Sequence, residues 1–135
     1  MLEILEPTPD EVARAISEGI LESNGASAVH RENFAIAHRH DGRLIGGVTA
    51  SVSFSVLFVN NIWVEDNRRG SGIGRALMLA AEAEGQRRGA KTACVDTLSS
   101  QAPAFYIKLG YEEFGRVEGE AGGLAIDRIW FRKAL

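Results

Sequence analysis

Arg68-Arg69-Gly70-Ser71-Gly72-Ile73-Gly74-Arg75 lies between a strand-like run, residues 57–64, and a helix-like run, residues 73–88. A strand, a glycine-rich turn and a helix start form a local architecture that holds phosphate. The first backbone N–H groups of a helix have no partner within it, and the helix dipole adds partial positive charge at that end. Helices usually offer Asp or Glu there. This one offers Arg68, Arg69 and Arg75, so its positive end is short of an anion that a ligand can supply.

The bulk numbers fit one globular domain over residues 1–135. A chain of 135 residues, 45% apolar and 24% charged, is long enough for a hydrophobic core. The net charge of −3 argues against general nucleic-acid binding, which needs a basic surface, so the local arginines point to a small anionic ligand. No apolar run approaches the ~20 residues that span a bilayer, and no membrane partner is expected. Residues 1–6 lack the basic start and long apolar stretch of a secretory signal, and the lone Cys94 cannot form an internal disulfide. A cytoplasmic location is expected.

Working outward from the glycine loop, the periodicities give an element order. Residues 2–5 are a strand candidate. Pro7 and Pro9 lead into an amphipathic helix carrying Val12, Ile16 and Ile20 at four-residue spacing, with Ala13 and Leu21 beside them. It stops in Ser23-Asn24-Gly25-Ala26-Ser27. Residues 34–40 and 43–53 read as strands joined by the Asp41-Gly42 hairpin signal, and 56–64 as a β-branched strand. Ile73, Leu77, Ala80, Ala81 and Glu84 show helical spacing, closed by Gln86-Arg87-Arg88 and Gly89. Residues 91–97 form a strand, Pro103 opens a helix running to Leu109, and 112–117 and 125–132 are strands joined by a flexible 118–123. The order β-α-β-β-β-α-β-α-β-β predicts an α/β fold. Its mixed central sheet has about seven strands flanked by helices on both faces. A right-handed crossover sets 91–97 parallel to 56–64.

Gly70, Gly72 and Gly74 repeat every second residue. A dinucleotide fingerprint needs a third glycine where Arg75 stands, and a Walker loop needs a following Gly-Lys-Ser/Thr. At these residues the chain resembles the GNAT superfamily of acetyl-CoA-dependent N-acetyltransferases. The family's main signature, Arg/Gln-x-x-Gly-x-Gly/Ala, is matched by Arg69, Gly72 and Gly74. Ile62-Trp63-Val64 resembles the strand end before it, and Arg75-Ala76-Leu77-Met78 the helix start after it. About thirty residues on, Phe105-Tyr106-Ile107-Lys108-Leu109-Gly110-Tyr111 resembles the second signature, Phe/Leu-Tyr-x-Lys-x-Gly-Phe/Tyr. The likeness covers roughly residues 43 to 115.

The resemblance implies a sheet splayed between its fourth and fifth strands, 56–64 and 91–97, and acetyl-CoA as cofactor. The N–H groups of Gly70, Ser71, Gly72, Ile73, Gly74 and Arg75 would cradle the pyrophosphate, with charge from Arg69. Main chain at Ile62, Trp63 and Val64 would pair with the pantetheine arm as a strand does, a free N–H near Val64 polarising the thioester carbonyl. Many relatives carry a cofactor-contacting Asn where Ser99 stands here, so Ser99 or Gln101 would take that contact. The implied reaction is direct attack by a primary amine of a small molecule, peptide or protein. The alternatives are a non-catalytic acyl-CoA-binding module and a nucleotide-binding regulator. A homodimer is the commoner assembly among relatives.

Tyr106 is the candidate acid for the departing sulfur, a thiol of pKa ~8.5. If the second helix buries Ala102, Phe105 and Leu109, Tyr106 points off that face toward the cleft and touches the cofactor. The base stays open. Asn60 and Asn61 stand on the strand where many relatives carry a Glu, which leaves Asp96, Glu65 or a water chain. His38 and His40 read as exposed strand-end residues, with no metal expected, and Cys94 as a small core residue. Trp63 and Trp130 could line the acceptor site or an interface, though strand aromatics are more often core. Phe34, Asn60 and residues 122–127 are the guess for the acceptor pocket.

Overall fold

In the computed structural model, which describes residues 1–25 and 31–135, the chain divides into two units, Met1–Arg31 and Glu32–Leu135. In the first, helix α1 (Asp10–Asn24) follows the amphipathic spacing and carries Asp10 and Glu11 where the dipole favours carboxylates. The Pro9 carbonyl accepts bonds from Val12 and Ala13, and the Gly25 N–H closes the last turn on the Leu21 carbonyl. Ala26 and Ser27, expected to complete the stop, lie outside the described residues. The strand expected at residues 2–5 does not form. Leu2 and Ile4 are fully exposed and pair with no described strand, and extended backbone without a ladder partner is left to water.

The second unit is built on a six-stranded mixed sheet in the order β1-β2-β3-β4-β8-β5. Its strands are β1 (Glu32–His40), β2 (Arg43–Ser53), β3 (Val56–Val64), β4 (Thr92–Leu98), β5 (Glu112–Val117) and β8 (Arg128–Ala134). Asp41 and Gly42 both take positive φ in the first hairpin, as the Asp-Gly signal requires. Phe54 and Ser55 do the same in the second hairpin without a glycine. Helix α2 (Ile73–Arg87) makes the crossover that sets β4 parallel to β3, and α3 (Pro103–Lys108) links β4 to β5.

The segment expected to be flexible, residues 118–123, instead enters a two-stranded hairpin, β6 (Glu120–Ala121) and β7 (Leu124–Ala125). Gly122 and Gly123 turn it, both at positive φ. Ala125 is taken by this hairpin, so the last main-sheet strand begins at Arg128 rather than at 125. The expected seven strands resolve into six in the main sheet and this separate pair.

Strand alternation sends Val48, Ala50, Leu57, Val59, Ala93, Val95, Ile129 and Phe131 into one core with Leu77, Met78 and Ala81 of α2, Tyr106 of α3 and Leu109 at its C-cap. Gly85 allows the close approach of α2, since a Cβ there would lie 3.0 Å from Leu57. Within this core Glu82 is 6% exposed. It accepts the Tyr111 hydroxyl at 2.9 Å and the Lys133 ammonium at 3.0 and 3.1 Å, tying α2 to the end of the β5–β8 pair where β5 begins.

The feature that positions the site is a fork. β3 and β4 pair only over residues 56–59 and 92–95. At the next residue β3 bulges: Val59 pairs with Ala50 and Asn61 with Thr49, so Asn60 is extra. Beyond it β3 stays with β2 while β4 stays with β8. This is the splay expected between the strands at 56–64 and 91–97.

Glu82→Ala strands a partly buried ammonium together with the buried Tyr111 phenol; loss of one partner from a fully buried pair costs about 3–5 kcal/mol, and a drop of about 2–3 kcal/mol is expected here. A urea unfolding curve for this variant should show that drop, with the secondary structure unchanged in the absence of urea.

Candidate active site

The fork opens into a cleft of about 810 Å³ between β3, the glycine loop, the end of β4 and α3. It gathers Ile62, Trp63, Val64, Arg69, Gly70, Gly72, Ile73, Gly74, Arg75, Gln101 and Tyr106 from the expected site residues. Ser71 and Ser99 are not among its lining. The Ser71 hydroxyl donates to the Arg68 carbonyl and so holds the loop. Ser99 accepts from the Asp127 N–H at 2.9 Å, while its own N–H donates to the Asp127 carbonyl at 2.8 Å. Of the two residues expected to replace the family's Asn, only Gln101 faces the cleft. Its Oε1 accepts from the Thr97 hydroxyl at 3.2 Å, which leaves its amide N–H groups without a partner among the described residues.

At the mouth of the cleft, α2 begins without a capping side chain or an acidic residue in its first turn. Its first helical bond is given by the Ala76 N–H to the Gly72 carbonyl at 3.0 Å, which leaves the N–H groups of Ile73, Gly74 and Arg75 unfilled. Gly70 and Gly72 adopt φ of +77° and +87°, and a Cβ at either would project into open space. At Gly74 a Cβ would make an ordinary contact with the Phe105 ring at 3.4 Å, so the start of α2 lies directly against α3. This is a cradle a side chain would obstruct.

The cations here are not equally free. Arg68 pairs with Glu65 at 3.3 Å, and Arg69 pairs with Asp66 at 2.9 Å and donates to the Val64 carbonyl at 3.3 Å. Arg75 and Lys108 have no ion pair among the described residues, and the lining contains no Asp or Glu. Lys108 was not singled out as a ligand contact from sequence, although it stands inside the second signature. Thr97 and Phe105 were likewise missed.

Backbone polarity continues the site along β3. The Glu65 N–H donates to Ile45 on β2 at 2.9 Å, so antiparallel alternation turns the N–H and C=O of Val64 and Ile62 toward the fork. β4 has departed there, so the N–H groups of Ile62 and Val64 and the Ile62 carbonyl are available to an extended ligand, while the Val64 carbonyl is taken by Arg69. The Ile62 and Val64 side chains pack on the core below.

Tyr106 corrects one expectation. It does not point off the buried face of α3; with Leu109 it is that face, while Ala102 is exposed. A six-residue helix has too little periodicity to fix its roll. The aromatic cluster fixes it, with Phe105, Tyr111 and Phe131 ring centroids 5.1, 6.0 and 5.9 Å from that of Tyr106. Tyr106 still lines the cleft, and its hydroxyl has no hydrogen-bond partner among the described residues. Burial pushes its phenol above the ordinary value, helped by the charge of Asp96, so it stays protonated throughout the neutral range.

Glu65 is occupied. Both its oxygens bind Arg43, and Arg68 adds a third contact. The Arg43 hydrogen bond holds its carboxyl below the usual range against a smaller opposing effect of desolvation. Asp96 pairs with Arg128 through Oδ2 and is half-exposed. Trp63, read as more often core, is 48% exposed. Cys94 is half-buried, and burial raises its thiol pKa.

A forked sheet with an unfilled helix start at its mouth defines a class of proteins that lay a phosphate-bearing arm along a strand edge. Residues 30–113 match the family model described as an acetyltransferase (GNAT) domain, and the chain belongs to that family, whose acetyl donor is acetyl-CoA. Blasticidin-S acetyltransferase of Streptomyces morookaense is 38% identical over 71 residues, 52% of either chain, so this chain spans about half the length of that relative. An acetyltransferase of Agrobacterium fabrum is 28% identical over 127 residues, 91% of this chain and 90% of the relative. The crystal structure of an acetyltransferase from Bacillus cereus superposes with a TM-score of 0.80 at 27% identity, covering 98% of both chains.

Gly72→Val forces a β-branched residue to φ +87° and aims its side chain at the cradle. Calorimetry should find acetyl-CoA binding weakened by roughly 100-fold or more, with the circular dichroism spectrum retained.

Proposed function

We propose that this chain transfers the acetyl group of acetyl-CoA to a primary amine by direct attack. The observation that carries the reading is the fork between β3 and β4 with the uncapped start of α2 at its mouth. The N–H groups of residues 70–75, with Arg75 and Lys108, would hold the pyrophosphate. The open edge of β3 at Ile62 and Val64 would order the pantetheine arm, and a β3 N–H would steady charge developing on the carbonyl oxygen. Acetyl-CoA supplies an activated thioester; the chain binds it, aligns it and keeps water from its arm.

The balance of the reaction is simple. A C–N bond forms and the C–S bond breaks. Of the two protons an ammonium must lose, one leaves to solvent and the other ends on sulfur. Tyr106 would serve this last step as a donor. Its pKa lies above that of a free phenol, ~10, and a thiol's is ~8.5, so full transfer from phenol to sulfur is uphill. Its contribution is a hydrogen bond to the developing thiolate.

A small-molecule amine is the acceptor class to test first, since the relative with the higher identity is named for blasticidin S. The same reading takes residues 1–135 as one acetyltransferase domain in the cytoplasm, with no nucleic-acid or membrane partner. No described helix is long and apolar enough to cross a membrane. A homodimer is proposed on the open edge of β5, where Phe114 and Val117 are exposed. The cleft lining holds no carboxylate to act as base, which favours as second reading a module that binds acyl-CoA without turnover. Titrating free thiol after incubation with acetyl-CoA and a panel including blasticidin S separates the two. Release above the amine-free rate is expected, and binding without release would leave only the module.

Tyr106→Phe should lower kcat by on the order of 100-fold while the KM for acetyl-CoA moves little. The phenol acts in its protonated form and its pKa is raised, so it loses no proton until the pH passes the free-phenol value of ~10. The wild-type kcat–pH profile should therefore rise with amine deprotonation from pH 7 to 9, with no falling limb from Tyr106.

A further inference from the structure

The two faces of the fork differ in polarity, and the difference bears on what the acceptor is. On the face carrying α2 and α3 lie the uncommitted cations Arg75 and Lys108. The opposite face is reached by strand alternation. Val95, Thr97, Ile129 and Phe131 are buried, so Asp96 and its cross-strand partner Trp130 project the other way. On the other arm, Ile62 and Val64 pack into the core, which turns Asn61 and Trp63 to the same opposite face. Asp96 is the first β4 residue past the last β3–β4 pair, Val59 with Val95, and therefore sits at the apex of the fork.

Resting on the reading above, we propose that this opposite face receives the acceptor as a cation, with Asp96 as the ammonium-binding carboxylate and Trp130 beside it. Asp96 is placed for this. Arg128 occupies Oδ2 and fixes the carboxylate, while Oδ1 has no partner among the described residues and the side chain is 39% exposed. Directly paired residues have Cβ atoms about 5 Å apart, so carboxylate and indole offer one cation both a charge and a π face. Arg132, the next cation along β8 on this face, is engaged by Glu112 at 3.1 Å. Among the described residues of β8, Arg128 is held by Asp96 and Arg132 by Glu112, so an ammonium meets no uncommitted guanidinium on that strand. The acceptor class is thus a cationic primary amine.

The test uses benzylamine, cationic at neutral pH, and aniline, neutral there, on protein saturated with coenzyme A for binding and with acetyl-CoA for turnover. Asp96→Asn should weaken benzylamine binding and raise its KM about tenfold, change aniline less than twofold and leave acetyl-CoA affinity intact. Asp96→Glu should recover part of the benzylamine loss. Equal losses for both amines, no loss for either, or no binding of benzylamine by the coenzyme-loaded wild type would overturn the assignment. Failure of the wild type to bind acetyl-CoA is a separate result, which removes the transferase reading and this proposal with it.

Discussion

The ladder between β3 and β4 ends after Val59 and Val95 because Asn60 is one residue too many for β2. A bulge bends its strand and leaves local groups unpaired. In a sheet interior such groups are costly, so a broken ladder persists only where the flanking strands hold each arm in place. β4 remains held by β8 through seven paired residues, and β3 by β2 on both sides of the bulge. Each arm of the fork is therefore stable by itself. The gap is maintained by the neighbours and does not depend on a ligand to hold it open.

The same construction aligns the polar groups in a row. The helix start of α2 lies at the mouth, the open edge of β3 leads inward, and the apex carries Asn60 and Asp96. Gly74 lies against the Phe105 ring, so α3 packs on the helix start. Phe105 in turn packs on Tyr106, whose ring is fixed by Tyr111 and Phe131. Tyr111 is anchored on Glu82, back in α2. The tyrosine at the cleft and the helix that would bind phosphate thus belong to one packed unit.

Much of this could be read from residue order. Period-two and period-3.6 patterns placed the helices and main-sheet strands because those patterns reflect the same burial that the core shows. The two signatures placed the cleft, since glycine at 70 and 72 answers constraints on φ that are local. What failed was non-local. Residues 2–5 look like a strand but lack a partner, and pairing is not written in four residues. The β6–β7 hairpin hides in a glycine-rich stretch that reads equally as a loop. Tyr106 was misdirected because one and a half helical turns cannot define a face. Arg68 and Arg69 looked free, but Glu65 and Asp66 lie within a few residues and take much of their charge.

In the proposed reaction the amine's proton raises a quantitative question that alignment answers without a general base. An amine of pKa ~10.4 is neutral in about one molecule in a thousand near pH 7.5, which costs about 4 kcal/mol. Aligning two reactants is worth about 7–11 kcal/mol when the geometry is productive. Orientation therefore outweighs the protonation penalty. A carboxylate of pKa ~3.9 could not remove that proton at equilibrium in any case, being more than six units too weak a base. Glu65, spent on Arg43 and Arg68, and Asp96, spent in part on Arg128, are thus not defective bases. The fork asks for rigid alignment, and alignment is what its packed arms supply.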